Sequence, residues 1–396
     1  MKRMKEMIPL AVPNLTGNEK KYLDDCIDTT FVSSVGEYVN RIESMSASLT
    51  GAKYGVATSA GTTALHTALI AADVKRDDLV IMPSFTFIAT ANSAAHAGAI
   101  PWFMDIDKYS WTIDVEQLEF ELEKNTDFVD ISFDGEKKKC LIHKKSGRRV
   151  AAIMPVYTLG NIPNMDKLMK VAADYELPVI ADAAAAIGSK YKNKKVAEMA
   201  DLTTLSFNGN KTVTAGGGGM ILGNDKGMLD LCRHLSTTAR LTKEYDFDMV
   251  GYNYRMTNIQ AAVGVAQLER LDEFVEKKRY IRKFYRDNLG SLKEIEFFNE
   301  PEDVYSSCWF SGVVMKNGSL EKTREICSGL FDEGIEARTF WKPVHLQTPY
   351  KDSIISESLE NTENIWDKIV TLPCSTGITD DELESVCNAV KKIWEK

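Results

Sequence analysis

The chain has 396 residues, 44% of them hydrophobic and 27% charged, with a net charge of −9. That is more chain than one compact core usually holds, so two domains are expected. The acidic balance argues against nucleic acid and anionic membranes as partners, since both need basic surfaces, but leaves room for an anionic substrate in a local basic pocket.

The seven cysteines (Cys26, Cys140, Cys232, Cys308, Cys327, Cys374 and Cys387) are scattered and never spaced C-x-x-C. That favours a reducing compartment and suggests neither a disulfide framework nor a metal site. The opening MKRMKEMIPLAVP lacks an apolar core of signal-peptide length, and no apolar run is long enough to cross a bilayer. A cytoplasmic protein is expected.

Along the chain, residues 18–48 form a polar, amphipathic stretch around FVSSVGEY, read as helices interrupted by a loop. Apolar runs then alternate with helical ones. KYGVATS, LVIMPSF, IPWFMDI, AAIMPVY, PVIADAA, LTTLSFN and GGMILGN read as strands, and GTTALHTALIAAD, TFIATANSAAHAGA and MDKLMKVAADYEL as helices. Short continuous apolar runs are what strands buried on both faces look like, so an α/β fold with a mostly parallel sheet is predicted. FDGEKKKCLIHKKSGRRV breaks the rhythm and suggests an inserted hairpin turning at KKSGRR, a basic run read as a solvated turn rather than a binding site.

Beyond about residue 245 the composition shifts. From Met256 to Leu289, residues Ile259, Ala262, Val265, Leu268, Leu271 and Val275 recur at spacings of three or four and define one apolar helical face. SCWFSGVVMKN and IEARTFW read as strands, SLEKTREICSGLFDEG as a helix, and TDDELESVCNAVKKIWEK as a helix with a capping box at Thr379. The expected division is a large domain over 1–250, including the N-terminal segment, and a smaller C-terminal α/β domain over 251–396.

Three segments carry chemistry. In ATSAGTTALHTAL a strand gives way to a helix at Gly61 and Thr62. Helix-start N–H groups and threonine hydroxyls there suit a phosphate, and a capped helix start with no ligand would look the same. In PVIADAAAA, Asp182 follows an apolar strand, where ligands bind in open α/β sheets. Either it caps the next helix or it pairs with a cation such as a protonated pyridine nitrogen. In LSFNGNKTVTAGGGG, Lys211 sits among small residues. It is either a solvated charge or a desolvated amine able to form a Schiff base. No G-x-G-x-x-G follows a first strand and no G-x-x-x-x-G-K-[ST] occurs, so dinucleotide and P-loop readings lack support.

In this order and spacing, ATSAGTTALHTAL, MPSFTFIATANS, PVIADAAAA, SFNGNK, GYNYRMTNIQAAVGVAQL and FWKPVHLQ, with the early FVSSVGEYVNRIE, resemble the DegT/DnrJ/EryC1/StrS family of sugar aminotransferases over nearly the whole chain. The resemblance implies the aspartate aminotransferase-like fold type I and pyridoxal 5'-phosphate as cofactor. Position by position, Lys211 falls on the lysine that binds the cofactor. Asp182 falls on the aspartate that pairs with the pyridine nitrogen, and Phe87 on the aromatic that stacks on the ring. Gly61, Thr62 and Ser206 fall on the phosphate cradle. Asn253 falls on an asparagine reaching the phosphate from the neighbouring subunit, which implies a homodimer.

Two positions depart from the family. Ala185 stands where many members have glutamine, and Tyr157 where many have histidine. Within the family, IDTTFVSSVG, SFNGNK and GGGGM look most like 4-aminotransferases of legionaminic acid and bacillosamine pathways. That implies glutamate as amino donor and a UDP-linked 4-keto-6-deoxy-N-acetylhexosamine as acceptor. Its diphosphate needs cationic or N–H donors, and Lys342 and His345 are either those or a surface lysine and a packed histidine. GDP- or dTDP-linked sugars aminated at C3 or C4 are the alternatives. A dehydrating branch with histidine for the lysine is disfavoured by Lys211, and a non-catalytic, cofactor-binding regulator by the intact set Lys211, Asp182 and Ser206.

Overall fold

The computed structural model describes residues 7–133 and 136–394, and in it the apolar runs form strands. In chain order these are β1 (Tyr54–Thr58), β2 (Leu79–Pro83), β3 (Ile100–Met104), β4 (Thr126–Phe133), β5 (Glu136–His143), β6 (Val150–Ile153), β7 (Ile180–Asp182), the two-residue β8 (Lys190–Tyr191) and β9 (Lys194–Lys195), β10 (Leu202–Ser206) and β11 (Gly219–Gly223). One half of the main sheet runs β1–β11–β10–β7 and the other β6–β2–β3. Parallel bridges Ile153–Val179 and Val156–Asp182 join the halves. Pairing is parallel except at β11, which runs antiparallel to β1 and β10. β2, β6, β7 and β11 are buried at every position, as sheet centres covered on both faces must be.

Helices α1 (Glu19–Asp28), α2 (Glu37–Thr50), α3 (Gly61–Ala71), α4 (Ala89–His96), α5 (Val115–Asn125), α6 (Met165–Asp174) and α7 (Lys226–Ser236) complete this part. Asp114, Asn164 and Asp225 each accept a backbone N–H at the start of α5, α6 and α7, satisfying donors that the helix leaves open. The inserted hairpin is β4–β5. Its Asp134-Gly135 link lies outside the described residues, as do residues 1–6, on which part of the leader reading rests. KKSGRR is a turn, as read, and it joins β5 to β6: Ile142 bridges antiparallel to Arg149, and His143 N–H donates to the Arg148 carbonyl at 2.9 Å.

The single apolar face read over 256–289 is divided between α8 (Asn258–Leu268) and α9 (Leu271–Leu289). The break falls at Glu269 and Arg270, whose side chains pair with Arg41 and Glu273. It lets the face change partner. Ala261, Ala262, Val265, Leu271 and Val275 belong to the core shared with α2 and the large sheet, while Ile281, Tyr285 and Leu289 belong to a second core.

That second core is built on β12 (Ile295–Phe297), β14 (Ser311–Met315), β15 (Arg338–Thr339) and β17 (Ile369–Leu372), in the order β12–β14–β17–β15, with α10 (Leu320–Asp332) and α12 (Asp380–Trp394). The capping box at Thr379 is present: Glu382 N–H donates to the threonine hydroxyl, and the Glu382 carboxylate accepts from Thr379 N–H. Three short elements tie the ends of the chain across. β13 (Val304–Tyr305) pairs with β8, β16 (Ile354–Ile355) pairs with β3, and Ile8 N–H donates to the Gly334 carbonyl. α11 (Glu360–Ile365) precedes β17. All seven cysteines are free thiols, and among the described residues no helix is long and apolar enough to cross a membrane.

Candidate active site

The ends of β7 and β10 and the start of α3 converge on a cavity of 490 Å³, which Trp309, Arg338 and Trp341 also line. At α3 the first N–H bonded within the helix is that of Ala64, to the Ala60 carbonyl at 3.0 Å. The N–H groups of Gly61 and Thr62 come before it and carry the partial positive charge of a helix start. Thr63 closes the cap. Its hydroxyl accepts from Ala60 N–H (3.0 Å) and donates to the Ala60 carbonyl (2.8 Å). A Cβ on Gly61 would stand 2.8 Å from the Cβ of Ser206, so only glycine lets the helix start meet the end of β10. Gly61, Thr62 and Ser206 thus share one corner of the cavity, which offers helix N–H groups and a hydroxyl to an anion.

Asp182 lies at the buried end of β7, 5% exposed. Thr90 donates its hydroxyl to one carboxylate oxygen (2.7 Å) and Ala184 its N–H to the other (3.1 Å); Thr86 lies 2.8 Å behind Thr90. Burial pushes the carboxyl pKa up, and these two bonds and the charge of Lys211 oppose it. A carboxylate so withdrawn from water calls for a cation in front of it.

Lys211 rises from the loop between β10 and β11, where its N–H donates to the Asn208 carbonyl (3.0 Å) and Ala215 N–H to that of Phe207 (2.8 Å). Its Nζ stands 3.7 Å from the centre of the Trp309 ring. Burial lowers its pKa to about 8 against the opposing charge of Asp182. At pH 7 about a tenth is therefore free amine, the form that attacks a carbonyl, against well under a hundredth for a solvated lysine. Phe87 lines the rim, 57% exposed, with its ring 6.3 Å from that of Trp341.

The structure does not bring every predicted residue to the cavity. Asn253 is exposed in the loop before α8 and bridges to Thr237. Lys342 is exposed and His345 is buried, and neither lines the cavity. His345 is a packed histidine: its ring nitrogens lie 2.6 Å from the Ser84 hydroxyl and 3.2 Å from Glu363. The cation that joins Lys211 on the lining is Arg338, which pairs with Glu336 at 2.6 Å.

Sequence reading missed Arg338, Thr90 and Trp309. Thr86 and Thr90 carry a faint signal, two hydroxyls one helical turn apart beside a predicted strand end. Trp309 carries none, being far from Lys211 in the chain. Of the two departures, Ala185 presents its methyl to the cavity, where Asn208 and Asn210 also lie, and the buried Tyr157 donates its hydroxyl to the Met165 sulfur at 3.4 Å.

An anion corner, a buried carboxylate for a protonated ring nitrogen, an open aromatic face and an amine of lowered pKa together fit a phosphorylated pyridine aldehyde. The comparisons agree. A model of the DegT/DnrJ/EryC1/StrS aminotransferase family matches residues 13–391. GDP-perosamine synthase of Escherichia coli O157:H7 is 34% identical over 388 residues, 98% of each chain. UDP-4-amino-4,6-dideoxy-N-acetyl-beta-L-altrosamine transaminase of Campylobacter jejuni is 30% identical over 364 residues, 91% of each. Among solved structures, a DegT DnrJ EryC1 StrS aminotransferase from Brucella abortus matches with a TM-score of 0.85 at 25% identity, covering 96% of each chain.

Proposed function

The chain belongs to the DegT/DnrJ/EryC1/StrS aminotransferase family and is a pyridoxal-phosphate-dependent aminotransferase, and from that premise we propose that it moves an amino group from glutamate to the keto carbon of a nucleotide-linked sugar. When bound, pyridoxal phosphate supplies an electron sink that allows the Cα–H bond of an amino donor to break. The residues of this chain do the rest. Gly61, Thr62 and Ser206 hold the phosphate, Phe87 covers the ring, and Asp182 keeps the pyridine nitrogen protonated. Lys211 binds the cofactor and, once released, carries the proton from the donor Cα, first as base and then as acid. One observation carries the reading: the amine of Lys211, of lowered pKa, and the buried Asp182 serve a single cavity.

In this reading a second copy of the chain completes the site with Asn253. Support comes from the loop that leads to it, where Leu241, Tyr245, Phe247, Met249 and Val250 are exposed. Side chains of that kind gathered on one surface mark an interface. Arg338 takes over the anion-binding task first given to Lys342 and His345, with Lys342 left as an outer contact. A metabolic enzyme of this kind belongs in the cytoplasm.

The acceptor of first choice is a UDP-linked 2-acetamido-4-keto-6-deoxy hexose aminated at C4, from the likeness of FVSSVG and SFNGNK. A GDP-linked 4-keto sugar is the second reading, favoured by the relative named GDP-perosamine synthase. The test is to incubate the enzyme with glutamate and UDP-, GDP- and dTDP-linked keto sugars and identify products by mass and NMR. A C4-aminated UDP sugar is expected. Preference for GDP, or amination at C3, overturns the acceptor, and no product with any sugar overturns the aminotransfer to nucleotide sugars.

A further inference from the structure

Packing alone does not account for the way Trp309 is held. The side chain is 3% exposed and the residue is fixed at four points. Its N–H donates to the Leu159 carbonyl (3.2 Å), and its carbonyl accepts from Lys278 Nζ (2.9 Å). Its indole N–H donates to the Asn210 carbonyl (2.7 Å), and its ring faces Lys211 Nζ. The chain accepts strain to put it there. Cys308, the residue before it, has φ +54°, which a side chain with a Cβ rarely adopts. Ser307 next to Cys308 is bonded to the Ala185 carbonyl at 3.1 Å, on the cavity wall.

Lys278 behind Trp309 is equally unusual. It is 3% exposed, and its ammonium is spent on two carbonyls, those of Trp309 and Cys374 (2.7 Å). Burying an ammonium without a carboxylate partner is costly, and it is tolerated where the donor fixes something. What it fixes is the backbone of Trp309, tied to that of Cys374 at the end of the second core's sheet.

We infer that Trp309 is a positioning residue for Lys211: its indole face holds the lysine amine whenever that amine is not joined to the cofactor, and its indole N–H fixes the loop that carries the lysine. Lys278 sets Trp309 from behind. The inference rests on Lys211 being the cofactor-binding lysine. The physical need is plain. A released lysine amine on a flexible four-carbon stem would otherwise turn toward water, away from the atom it must next protonate. An aromatic face attracts the ammonium and packs equally well on the methylenes, so it retains both protonation states. A carboxylate in its place would trap the ammonium and stop it acting as a base.

The test uses cofactor-free protein, so it does not depend on turnover. Lys211 is modified with an amine-reactive reagent at about pH 7, below its titration, so that the ammonium held over the ring must first be released, and its rate is followed by peptide mass spectrometry. In Trp309→Leu the rate is expected to rise roughly five- to tenfold. Trp309→Phe keeps the ring face and should stay within about twofold of wild type, and Lys278→Met should behave like Trp309→Leu. A Trp309→Leu rate equal to wild type, or a Trp309→Phe rate equal to that of Trp309→Leu, overturns the inference.

If the leucine variant does not fold, the wild-type protein answers instead. After reductive methylation with 13C-formaldehyde, the NMR signal missing from Lys211→Arg should lie upfield of the other lysines, shifted by the indole ring current. An unshifted Lys211 signal overturns the inference. Either failure leaves cofactor binding by Lys211 standing, because that is tested separately by the loss of the visible absorbance in Lys211→Ala.

Discussion

Two regions of this chain carry residues assigned to the cofactor, and they are finished to different degrees. At the cavity floor each group is held by the chain itself: Asp182 by Thr90 and Ala184, the Lys211 loop by Trp309, and Ser206 against Gly61. In the loop before α8 only the base is held. Tyr252 and Tyr254 stack on each other at 4.9 Å and flank the ring of His66, which is buried and kept neutral, its pKa lowered to about 4 by that burial. Above that base stand Asn253 and a run of exposed apolar side chains. In the proposed dimer, the difference separates what one chain can do alone from what waits for a second. Substitutions on the floor should therefore act on chemistry, and substitutions in the loop on assembly.

The largest effect is expected on the floor. Lys211→Ala should abolish transamination and the visible absorbance of the bound cofactor while the thermal melt is retained; general acid–base catalysis alone is worth about 10²- to 10⁴-fold. Turnover near wild type would sink the assignment. Asp182→Asn should still bind cofactor but lose roughly 10²-fold or more in kcat, because a neutral partner no longer secures the protonated nitrogen. An unchanged rate would show that the pairing is misplaced.

Acidity follows in size. Because burial lowers the pKa of Lys211 to about 8, the free amine is lost as pH falls below that value. Cofactor uptake by cofactor-free protein should slow about tenfold per unit well below pH 8 and level off above it. A midpoint near 10.5, the value for a solvated lysine, would contradict the desolvated site. Thr90→Val, which leaves one carboxylate oxygen of Asp182 unbonded, should cost about tenfold in kcat, and Thr90→Ser should restore it. Equal rates in all three proteins would show that the hydroxyl does not position Asp182.

Why the floor was legible in the sequence and the loop was not follows from range. Gly61, Asp182 and Lys211 leave local signals: each lies at or a few residues beyond a strand end, where short apolar runs give way to small or polar residues, and their order and spacing made those signals specific. The sheet was legible for the same reason, since β2, β6 and β11 carry no polar side chain. β12 and β17 were not, because strands of three and four residues are too short to show a period. His345 misled because a histidine beside a lysine looks like an anion site until its packing against Ser84 is known. The break between α8 and α9 is invisible in a periodicity that continues through it, since only the packing partner changes. Trp309 and Arg338 reach the cavity through the second core, and such long-range convergence leaves no local pattern.

The smallest expected effect bears most directly on the two regions. Asn253 is outside the cavity of its own chain, so Asn253→Ala should leave folding intact and weaken cofactor retention only several-fold, the net worth of one typical hydrogen bond. A single variant cannot say whose cofactor it reaches, but a mixture can. In a mixed dimer of Lys211→Ala and Asn253→Ala chains, a residue acting across the interface gives one site with its own Lys211 and the partner's intact Asn253. That site is fully native, so mixing two impaired proteins should raise activity above their average. If Asn253 serves its own chain, both sites stay impaired and mixing gains nothing. Activity measured after co-refolding the two variants, against each refolded alone, decides it. A gain supports the loop as half of a shared site, and its absence returns Asn253 to the role of a turn residue on an apolar surface whose partner is something else.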